Sequence, residues 1–545
     1  MTNAPVGPRG LGGSGHQGRP PSTATSTATS TATDLTGPGG IDLDAVTVAS
    51  LLQAMAAGAV SSAELTACYL DRIQRLNPVL RAVIAVHPDA MAAAEASDTA
   101  RGRGRPPRPL EGIPVLVKDN IAVAGLPTTA GSLALAGSAP PDAFCVAKVR
   151  EAGAVIIGKA NLSEWANFRS QLSTSGWSSV GGQVRNPHVL DRNPSGSSSG
   201  SAAAVAAHLA PLALGTETDG SVVCPASACG IVGVKPTVGL VSRSGIVPIS
   251  HVQDTAGPMT ATVADAALLL AVLAGADPAD PATNAAAPHA AALHAAAPHA
   301  ASPDVSALDA GALRGSRLGV WRDGSNGAGP ATEAVLDEAV AVLRAGGARL
   351  VDSVDLPASG EIADPEFTAL CHEFKHDLNA YLATAGGASP RTLAEVIEFN
   401  VRNAPQVLAC FGQDVLELAE ATSGDLADEA YHAARSSAAD LARRALDTPL
   451  AAHGLDAIVA LTANPAWPID PVLGDRDVFH TSPPAAVAGY PAVTVPAGMV
   501  RGLPVGLTFM GTAWSEARLL ALAYAFEHAI GARRAPGYRA TVDCP

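Results

Sequence analysis

The stretch of sequence that decides the fold is Gly196-Ser-Ser-Ser-Gly200-Ser-Ala-Ala-Ala-Val-Ala206, followed after a short spacer by Gly215-Thr-Glu-Thr-Asp-Gly-Ser221. A serine-glycine run is more often a linker, and alone it indicates little about function. Here the first segment continues into small apolar residues, and the second follows the apolar segment 209–216. Ser197 therefore lies within the serine-glycine run, and Ser221 follows the apolar segment after four further residues.

A lysine lies upstream, at the end of the β-rich run of residues 113–118. A second β-rich run covers residues 154–158, and a helical pattern over residues 144–153 separates the two. Strand, helix and strand at this spacing predict a crossover connection and a buried, largely parallel sheet. A lysine at a strand end more often reaches solvent, so Lys118 alone is a weak candidate for chemistry.

Further segments make the pattern specific: Pro114-Val-Leu-Val-Lys118-Asp-Asn120, Gly233-Val-Lys-Pro-Thr237, Asp254-Thr-Ala-Gly-Pro258 and Gly502-Leu-Pro-Val-Gly506. Together with the two serine segments, they resemble the amidase signature family of serine hydrolases. Ser197 and Ser221 lie 24 residues apart, which is the separation of the two catalytic serines in that family. The resemblance extends from about residue 45 to about residue 535. Within the family, three segments are most similar to bacterial peptide amidases: residues 161–169, 215–225 and 510–516.

The resemblance implies a fold. We expect an α/β protein with the amidase signature fold, in which helices cover both faces of a large mixed, mostly parallel central sheet. The C-terminal sequence agrees, because residues 493–497 and 503–510 have the pattern of neighbouring strands and a last helix starts at about Glu516. Since both ends of the chain have β character, the sequence predicts one large sheet rather than a string of domains.

The resemblance also implies the roles of individual residues. Ser221 is expected to be the nucleophile, Ser197 the serine that relays its proton, and Lys118 the base. The peptide bond between Gly196 and Ser197 is expected to be cis, and Ser198 to support the relay serine. The oxyanion hole is expected to consist of four backbone N–H groups, those of Thr218, Asp219, Gly220 and Ser221.

This chemistry places a demand on the lysine. A serine hydroxyl attacks an amide poorly unless a base removes its proton and donors hold the developing oxyanion. Lys118 must therefore be neutral at rest, and lowering the pKa of a lysine from about 10.4 to about 7 requires about 4 kcal/mol. Burial beside hydroxyl groups could supply that energy, whereas a salt bridge to Asp119 would oppose it.

The nucleophile loop departs from the common form of the family, which has two glycines before the serine and an arginine two residues after it. This chain has Asp219-Gly220 and Val223 at those positions. The serine-glycine run also begins Ser195-Gly196, where two glycines are usual. Peptide-amidase-like members share the first departure, so these differences concern the geometry of the loop rather than the activity.

Two other motifs suggest different chemistry. His372-Glu373-Phe-Lys-His376 matches H-E-x-x-H on a predicted helix, a pattern that binds zinc in peptidases, although no third ligand motif follows and a solvated helix face is the favoured interpretation. Gly196-Ser-Ser198-Ser-Gly200 matches the nucleophile elbow of α/β-hydrolases, with Ser198 as the attacking residue. That elbow needs an apolar strand immediately before it, and residues 185–194 have the composition of a loop.

Two segments of biased composition set the domain organisation. Residues 1–40 carry few large apolar side chains and a Ser-Thr-Ala repeat, which predicts a disordered tail. Residues 277–310 are rich in Ala, Pro and His, which predicts a flexible insertion rather than a metal site. The remaining sequence predicts a single amidase signature domain over residues 41–545.

Charge and cysteine content restrict partners and compartment. The chain of 545 residues has 35 Lys and Arg against 50 Asp and Glu, a net charge of −15, which disfavours nucleic-acid binding through a general basic surface. Seven scattered cysteines without a C-x-x-C pair indicate a reducing compartment. With no apolar window long enough for a membrane span and no signal pattern, we expect a cytoplasmic protein. The oligomeric state is left open.

The sequence therefore predicts an amidohydrolase that cleaves linear amides, for instance C-terminal peptide amides, through an acyl-enzyme and without a cofactor. Its substrate is expected to be a small-molecule or peptide amide. Three alternatives stay open: an acylamidase, carbamate or oligoamide hydrolase of the same family, a glutaminase subunit of a tRNA amidotransferase, and a zinc peptidase acting through His372, Glu373 and His376. A binding scaffold with a decayed site is disfavoured because all three catalytic positions are filled.

Overall fold

The computed structural model describes residues 35–296, 308–357, 359–387 and 389–542, and one large sheet runs through this part of the chain. The strands are β1 Val83–Val86, β2 Pro114–Lys118, β3 Val155–Ala160, β4 Trp177–Ser178, β5 Gly182–Gln183, β6 Leu212–Glu217, β7 Val232–Lys235, β8 Thr255–Thr260, β9 Arg317–Val320, β10 Arg349–Asp352, β11 Ala457–Leu461, β12 Ala492–Val500 and β13 Leu503–Met510. Eleven of them form the sheet in the order β1-β3-β2-β6-β8-β7-β12-β13-β11-β9-β10, while β4 and β5 pair separately.

The strand directions in this sheet are mixed. Four neighbouring pairs are parallel, namely β2 with β3 and β6, and β9 with β10 and β11. The other six pairs are antiparallel. The predicted α/β fold with a large mixed sheet is confirmed, but the sheet is not mostly parallel. Part of the reason is that two residues, Arg501 and Gly502, connect β12 to β13, and so short a connection joins only antiparallel neighbours.

Helices form the layers on the sheet. In the described ranges the α-helices are α1 Val48–Ala56, α2 Ser62–Leu80, α3 Ala90–Gly102, α4 Phe144–Glu151, α5 Ser199–Ala206, α6 Val223–Cys229, α7 Val263–Leu273, α8 Ala286–Ala296, α9 Pro330–Ala345, α10 Ala363–Thr384, α11 Leu393–Arg402, α12 Ala404–Val407, α13 Asp414–Ala421, α14 Glu429–His453, α15 Pro483–Ala488 and α16 Glu516–Ile530. Every residue of β2, β3, β6, β8 and β13 is buried, as expected for strands covered on both faces. Across these ranges no helix combines the length and apolar character that a membrane span requires.

Local sequence explains where several elements begin. Helix α2 starts after Ser61, whose Oγ accepts a hydrogen bond from the N–H of Glu64 while the Glu64 carboxylate accepts one from the N–H of Ser61. This is a capping box, in which each of the two residues accepts a hydrogen bond from a backbone N–H of the other. The predicted strand-helix-strand unit is also confirmed, because α4 connects the parallel neighbours β2 and β3. The last helix begins at Glu516.

The two segments of biased composition lie partly outside the described residues. Residues 1–34 of the predicted tail are outside them, and Pro38–Gly40 forms a single 3-10 turn. In the predicted insertion, a 3-10 turn at Pro281–Ala285 leads into α8, where Pro288 occupies the first turn and breaks no helical hydrogen bond. Residues 297–307 are again outside. The division into tail, insertion and single domain remains a prediction.

Candidate active site

The site begins where β2 ends. Strands β2 and β6 are parallel neighbours, so their carboxyl ends reach the same edge of the sheet. The last residue of β2 is Lys118, which is completely buried. Its Nζ lies 2.7 Å from Ser197 Oγ, 2.8 Å from Thr216 Oγ1 and 3.1 Å from the carbonyl oxygen of Thr216. The structure therefore brings the lysine and the relay serine of the sequence prediction into hydrogen-bonding contact.

The surroundings of Lys118 favour its neutral form. Burial lowers the pKa of Lys118 well below its ordinary value, and the more distant carboxylates of Glu217 and Asp254 only partly oppose this. Among the described residues, no carboxylate forms a salt bridge with its Nζ. The neighbouring acid, Asp119, instead pairs with Lys159 at 2.9 Å. The salt bridge that would have opposed a neutral Lys118 is thus taken up by another lysine.

The serine-glycine run turns tightly over this lysine. The peptide bond between Gly196 and Ser197 is cis. A Cβ on Gly196 would collide with the hydroxyl of Ser163, so only glycine fits at this position. Ser197 is completely buried, and its carbonyl oxygen accepts a hydrogen bond from the N–H of Ser163. The cis bond therefore occurs where the family resemblance implies it.

Ser198 connects the serine-glycine run to the loop that carries Ser221. Its N–H donates to the carbonyl oxygen of Ser221 at 3.1 Å, and its Oγ lies 3.1 Å from the carbonyl oxygen and 3.2 Å from the nitrogen of Thr216. Ser198 is completely buried, and residues 185–198 before α5 form no strand. A nucleophile elbow at Ser198 is therefore not supported, and its contacts suit the predicted supporting role.

The loop of residues 218–221 joins β6 to α6. Gly220 has φ +73°, and a Cβ there would lie 2.9 Å from both Cys224 Sγ and Ser482 Oγ, so a glycine is required. The carboxylate of Glu217 accepts hydrogen bonds from the N–H groups of Val222 and Val223, which fixes the far end of the loop. Only 7% of the surface of Ser221 is exposed, and this residue lines the cleft described below.

The backbone N–H groups of this loop have a distinctive property. Within the described residues, none of the four N–H groups of Thr218, Asp219, Gly220 and Ser221 donates to a protein acceptor. The side chain of Thr218 is held separately, since its Oγ1 donates to Asp254 Oδ1 at 2.6 Å. Burial raises the pKa of Asp254 to about 6, although that hydrogen bond lowers it. The loop therefore has four backbone N–H donors without a protein acceptor among the described residues, and the hydrogen bonds of Thr218 and Glu217 fix the conformation of the loop.

A cleft of about 500 Å³ opens in front of Ser221. Its walls contain large apolar side chains from several parts of the chain: Phe168, Ile249, Phe367, Leu370, Val415 and Trp467. It also contains four acidic residues and one histidine: Asp219, Glu366, Asp475, Asp477 and His480. None of the lining residues found in the described part of the chain is a lysine or an arginine. The cleft is therefore apolar and acidic.

Several residues of the site were not identified from the sequence. Glu217 and Thr216 lie inside the second serine segment, and Asp254 opens another of the quoted segments, so their positions were visible but their roles were not. Glu366 and Trp467, in contrast, come from the part of the chain between residues 310 and 480, which contains none of the segments that carry the family resemblance. No signal in a single sequence would place those two at the site.

The H-E-x-x-H motif does not form a metal site. Glu373 is completely buried and accepts hydrogen bonds from Arg435, Tyr431 and Ser250. His376 is on the surface beside Asp377. In the ranges that the structure covers, no group of three or more His, Cys, Asp or Glu side chains is arranged to hold a metal ion. The zinc-peptidase hypothesis is therefore wrong for these three residues, because the glutamate is occupied by an arginine.

Comparison with known proteins agrees with this geometry. The family model described as Amidase matches residues 64–520. A probable amidase of Arabidopsis thaliana is 40% identical over 88% of this chain and 89% of its own length. A glutamyl-tRNA(Gln) amidotransferase polypeptide from Chloroflexus aurantiacus is 36% identical over 89% and 97%, respectively. The solved structure of native peptide amidase from Stenotrophomonas maltophilia is 50% identical, covers 90% of this chain and 98% of its own, and superposes with a TM-score of 0.83.

These likenesses confirm the predicted amidase signature fold. They cover the strands and loops that carry Lys118, Ser197 and Ser221, as well as the cleft in front of them. The chain belongs to the amidase signature family and is an amidase, an enzyme that hydrolyses the C–N bond of carboxamides.

Proposed function

We propose that this chain hydrolyses linear carboxamides through an acyl-enzyme on Ser221, with Ser197 as proton relay and Lys118 as base. The observation that carries the proposal is the contact of 2.7 Å between Lys118 Nζ and Ser197 Oγ, made by a lysine that is completely buried and pairs with no carboxylate of the described chain. A buried lysine surrounded by hydroxyls and a carbonyl is more stable as a neutral amine than as an ammonium ion.

We propose the proton movements from this contact together with the roles that the family resemblance implies. The Ser221 hydroxyl transfers its proton to Ser197 Oγ as it attacks the carbonyl carbon, while Ser197 passes its own proton to Lys118 Nζ. The resulting ammonium returns the proton through Ser197 to the leaving nitrogen, so the C–N bond breaks with release of a neutral amine or ammonia. Water then repeats the sequence on the ester, and Ser221 regains its proton as the acid leaves.

The loop of residues 218–221 supplies the proposed oxyanion hole. The carbonyl oxygen of the substrate gains negative charge in the tetrahedral intermediate, and fixed N–H donors stabilise it more than water does. Four consecutive N–H groups without a protein acceptor in the described structure are the donors that this step needs. Thr218, Asp219, Gly220 and Ser221 are therefore proposed together, as the family resemblance implies.

The substrate is proposed to be a small-molecule or peptide amide. Purified chain alone should release ammonia from C-terminally amidated peptides, and mass spectrometry of the quenched reaction should find the acyl group on Ser221. Hydrolysis of anilides and carbamates, measured in parallel, distinguishes a peptide amidase from an acylamidase or a carbamate hydrolase of the same family. If amide hydrolysis required a partner protein and ATP, the role in a tRNA amidotransferase would be favoured instead. An acyl group found on another residue would contradict Ser221 as the nucleophile.

The charge of the cleft predicts which amides react fastest. Four carboxylic side chains line the cleft within the described chain, against one histidine and no lysine or arginine. Burial raises the pKa of each of the four carboxyls, so the potential in front of Ser221 comes from those that remain ionised, and it favours cationic substrates over anionic ones. We expect kcat/KM to fall in the order N-acetyl-lysinamide, N-acetyl-norleucinamide and the α-amide of N-acetylglutamate, with about a tenfold difference between the extremes at low salt.

Two controls separate this charge effect from the size of the side chain. The difference should shrink as ionic strength rises, because salt screens charges at the mouth of the cleft. Replacing Asp477, whose side chain is 36% exposed, with asparagine should reduce it as well. If the anionic amide reacted as fast as the cationic one at low salt, the prediction would be wrong.

A cytoplasmic location is also proposed. Within the described ranges, five cysteines are free thiols, as expected in a reducing compartment: Cys145, Cys224, Cys229, Cys371 and Cys410.

A further inference from the structure

Gln253 lies directly behind the loop of residues 218–221. It is completely buried, in the segment that precedes β8. Its Nε2 donates to the carbonyl oxygen of Thr218 at 3.3 Å and to Glu366 Oε1 at 2.8 Å. The next residue, Asp254, holds the side chain of the same threonine. Both the backbone and the side chain of Thr218 are thus held by two adjacent residues.

The bond to the Thr218 carbonyl has a consequence for the next N–H group. In a trans peptide unit, the carbonyl oxygen and the following N–H point in opposite directions within one plane. Only the bond between Gly196 and Ser197 is cis in the described chain, so the unit that joins Thr218 to Asp219 is trans. Because Gln253 holds the Thr218 carbonyl on the protein side, the N–H of Asp219 is turned the other way.

The orientation of the Gln253 amide is itself determined by its neighbours. Its Oε1 accepts a hydrogen bond from Arg435 Nη1, and an arginine can only donate. The amide nitrogen must therefore face Glu366 and the Thr218 carbonyl, both of which can accept. If the amide were flipped, Oε1 would face the oxygens of Glu366 and Thr218, which are acceptors, and the NH₂ group would face the guanidinium of Arg435, which is a donor.

Arg435 is fixed in turn by the glutamate of the H-E-x-x-H motif. Its Nε lies 2.8 Å from Glu373 Oε1 and its Nη2 lies 2.6 Å from Glu373 Oε2, which is a bidentate pair. Tyr431 donates to Oε1 at 2.9 Å, and Ser250 donates to Oε2 at 2.5 Å. A chain of buried hydrogen bonds therefore runs from α10 and α14 through Gln253 to Thr218.

We propose that Gln253 is a positioning residue for the oxyanion hole, held in place by Arg435 and Glu373. Its side-chain amide fixes the Thr218 carbonyl and so directs the N–H of Asp219 at the oxygen of the reacting carbonyl. This inference rests on the proposed function, because it requires an oxyanion next to residues 218–221. It also gives Glu373 a role, as the support of the arginine that orients Gln253.

Gln253→Glu tests the inference, since it keeps the shape and the acceptor facing Arg435 but removes the donor to Thr218. We expect kcat to fall about 10- to 100-fold with KM within about twofold, because the lost interaction acts on the oxyanion and not on the bound amide. Affinity for a peptide boronic acid, which forms a tetrahedral adduct with a serine, should fall by the same factor as kcat/KM. The concentration of active sites is titrated with an irreversible serine reagent, and each rate is divided by that concentration.

Gln413→Glu is the matched control, because Gln413 is also a buried glutamine, bonded to Asn400 and remote in sequence from the oxyanion loop. It should leave kcat and boronate affinity unchanged even if it lowers the melting temperature. Gln253→Met, which has similar length and no donor, repeats the test if the glutamate variant does not fold.

An unchanged kcat and boronate affinity in either folded Gln253 variant would overturn the inference, as would a rise in KM alone. Failure of the proposed function would look different. In that case Ser221→Ala would keep its activity, whatever the Gln253 variants do.

Discussion

Ser221→Ala is expected to lower kcat for an amidated peptide by at least about 10⁴-fold, with little change in stability. The substitution removes the only atom that is proposed to bond to the acyl group. A small residual rate should remain, because the cleft and the unused N–H groups of the loop still bind the amide and polarise its carbonyl. Ammonia release measured over hours, together with the absence of an acyl adduct in the mass spectrum, checks the result.

Ser201→Ala provides the matched control for this variant. Ser201 is completely buried in α5, four residues from the relay serine, and its hydroxyl donates to the carbonyl oxygen of Leu214. It makes the same chemical change in the same region without a contact to Lys118, so kcat should stay within a few-fold of the parent. A Ser221→Ala enzyme that kept more than about a hundredth of the parent rate would contradict the nucleophile assignment.

The proposed reacting groups of this site can be read from the sequence because they lie in short contiguous segments. Gly196 and Gly220 are required by backbone geometry, and the serines beside them are positioned by that same backbone. Lys118 is identified for a similar reason, since the strand that carries it is a continuous apolar run. In each case the signal is a short contiguous run of residues, although the contacts that require the two glycines include the distant Ser163 and Ser482.

The parts that the sequence did not predict depend on contacts between distant residues. Glu373 looked like part of a zinc motif because its partner, Arg435, lies 62 residues further on. The prediction of a mostly parallel sheet rests on the family resemblance and on the β2-α4-β3 crossover, whereas β8 is antiparallel to both of its neighbours, β6 and β7, a pairing that no local pattern indicates. The acidic cleft could not be predicted, since only Asp219 lies in a recognised segment, whereas Glu366, Asp475 and Asp477 come from segments without a motif.

Lys118→Met is expected to lower kcat by at least about 10³-fold and to remove the acid limb of the pH profile. In the parent enzyme, burial holds the pKa of Lys118 well below its ordinary value. Activity should therefore be lost as pH falls through that lowered pKa, because the ammonium form has no lone pair to accept the proton of Ser197. Methionine has similar length but cannot accept a proton at any pH, so its residual rate should depend on hydroxide alone.

Lys118→Arg separates the base from the positive charge. An arginine stays protonated throughout the working range, so this variant keeps a cation beside Ser197 without a base. We expect it to be as inactive as the methionine variant. If the arginine enzyme kept most of the activity, the lysine would act through its charge, and the proposed proton transfer to Nζ would be wrong.

The stability of the methionine variant tests the neutral lysine without reference to catalysis. Between the lowered pKa of folded Lys118 and the ordinary value near 10.5, the unfolded chain binds more protons than the folded one. The free energy of unfolding of the parent should therefore rise with pH across that window, and the lysine should destabilise the fold below it. In Lys118→Met this contribution disappears, so urea unfolding at a series of pH values should show a smaller rise with pH. The same slope in both proteins would mean that Lys118 is charged in the folded enzyme, and a charged lysine cannot take the proton that the mechanism requires it to accept.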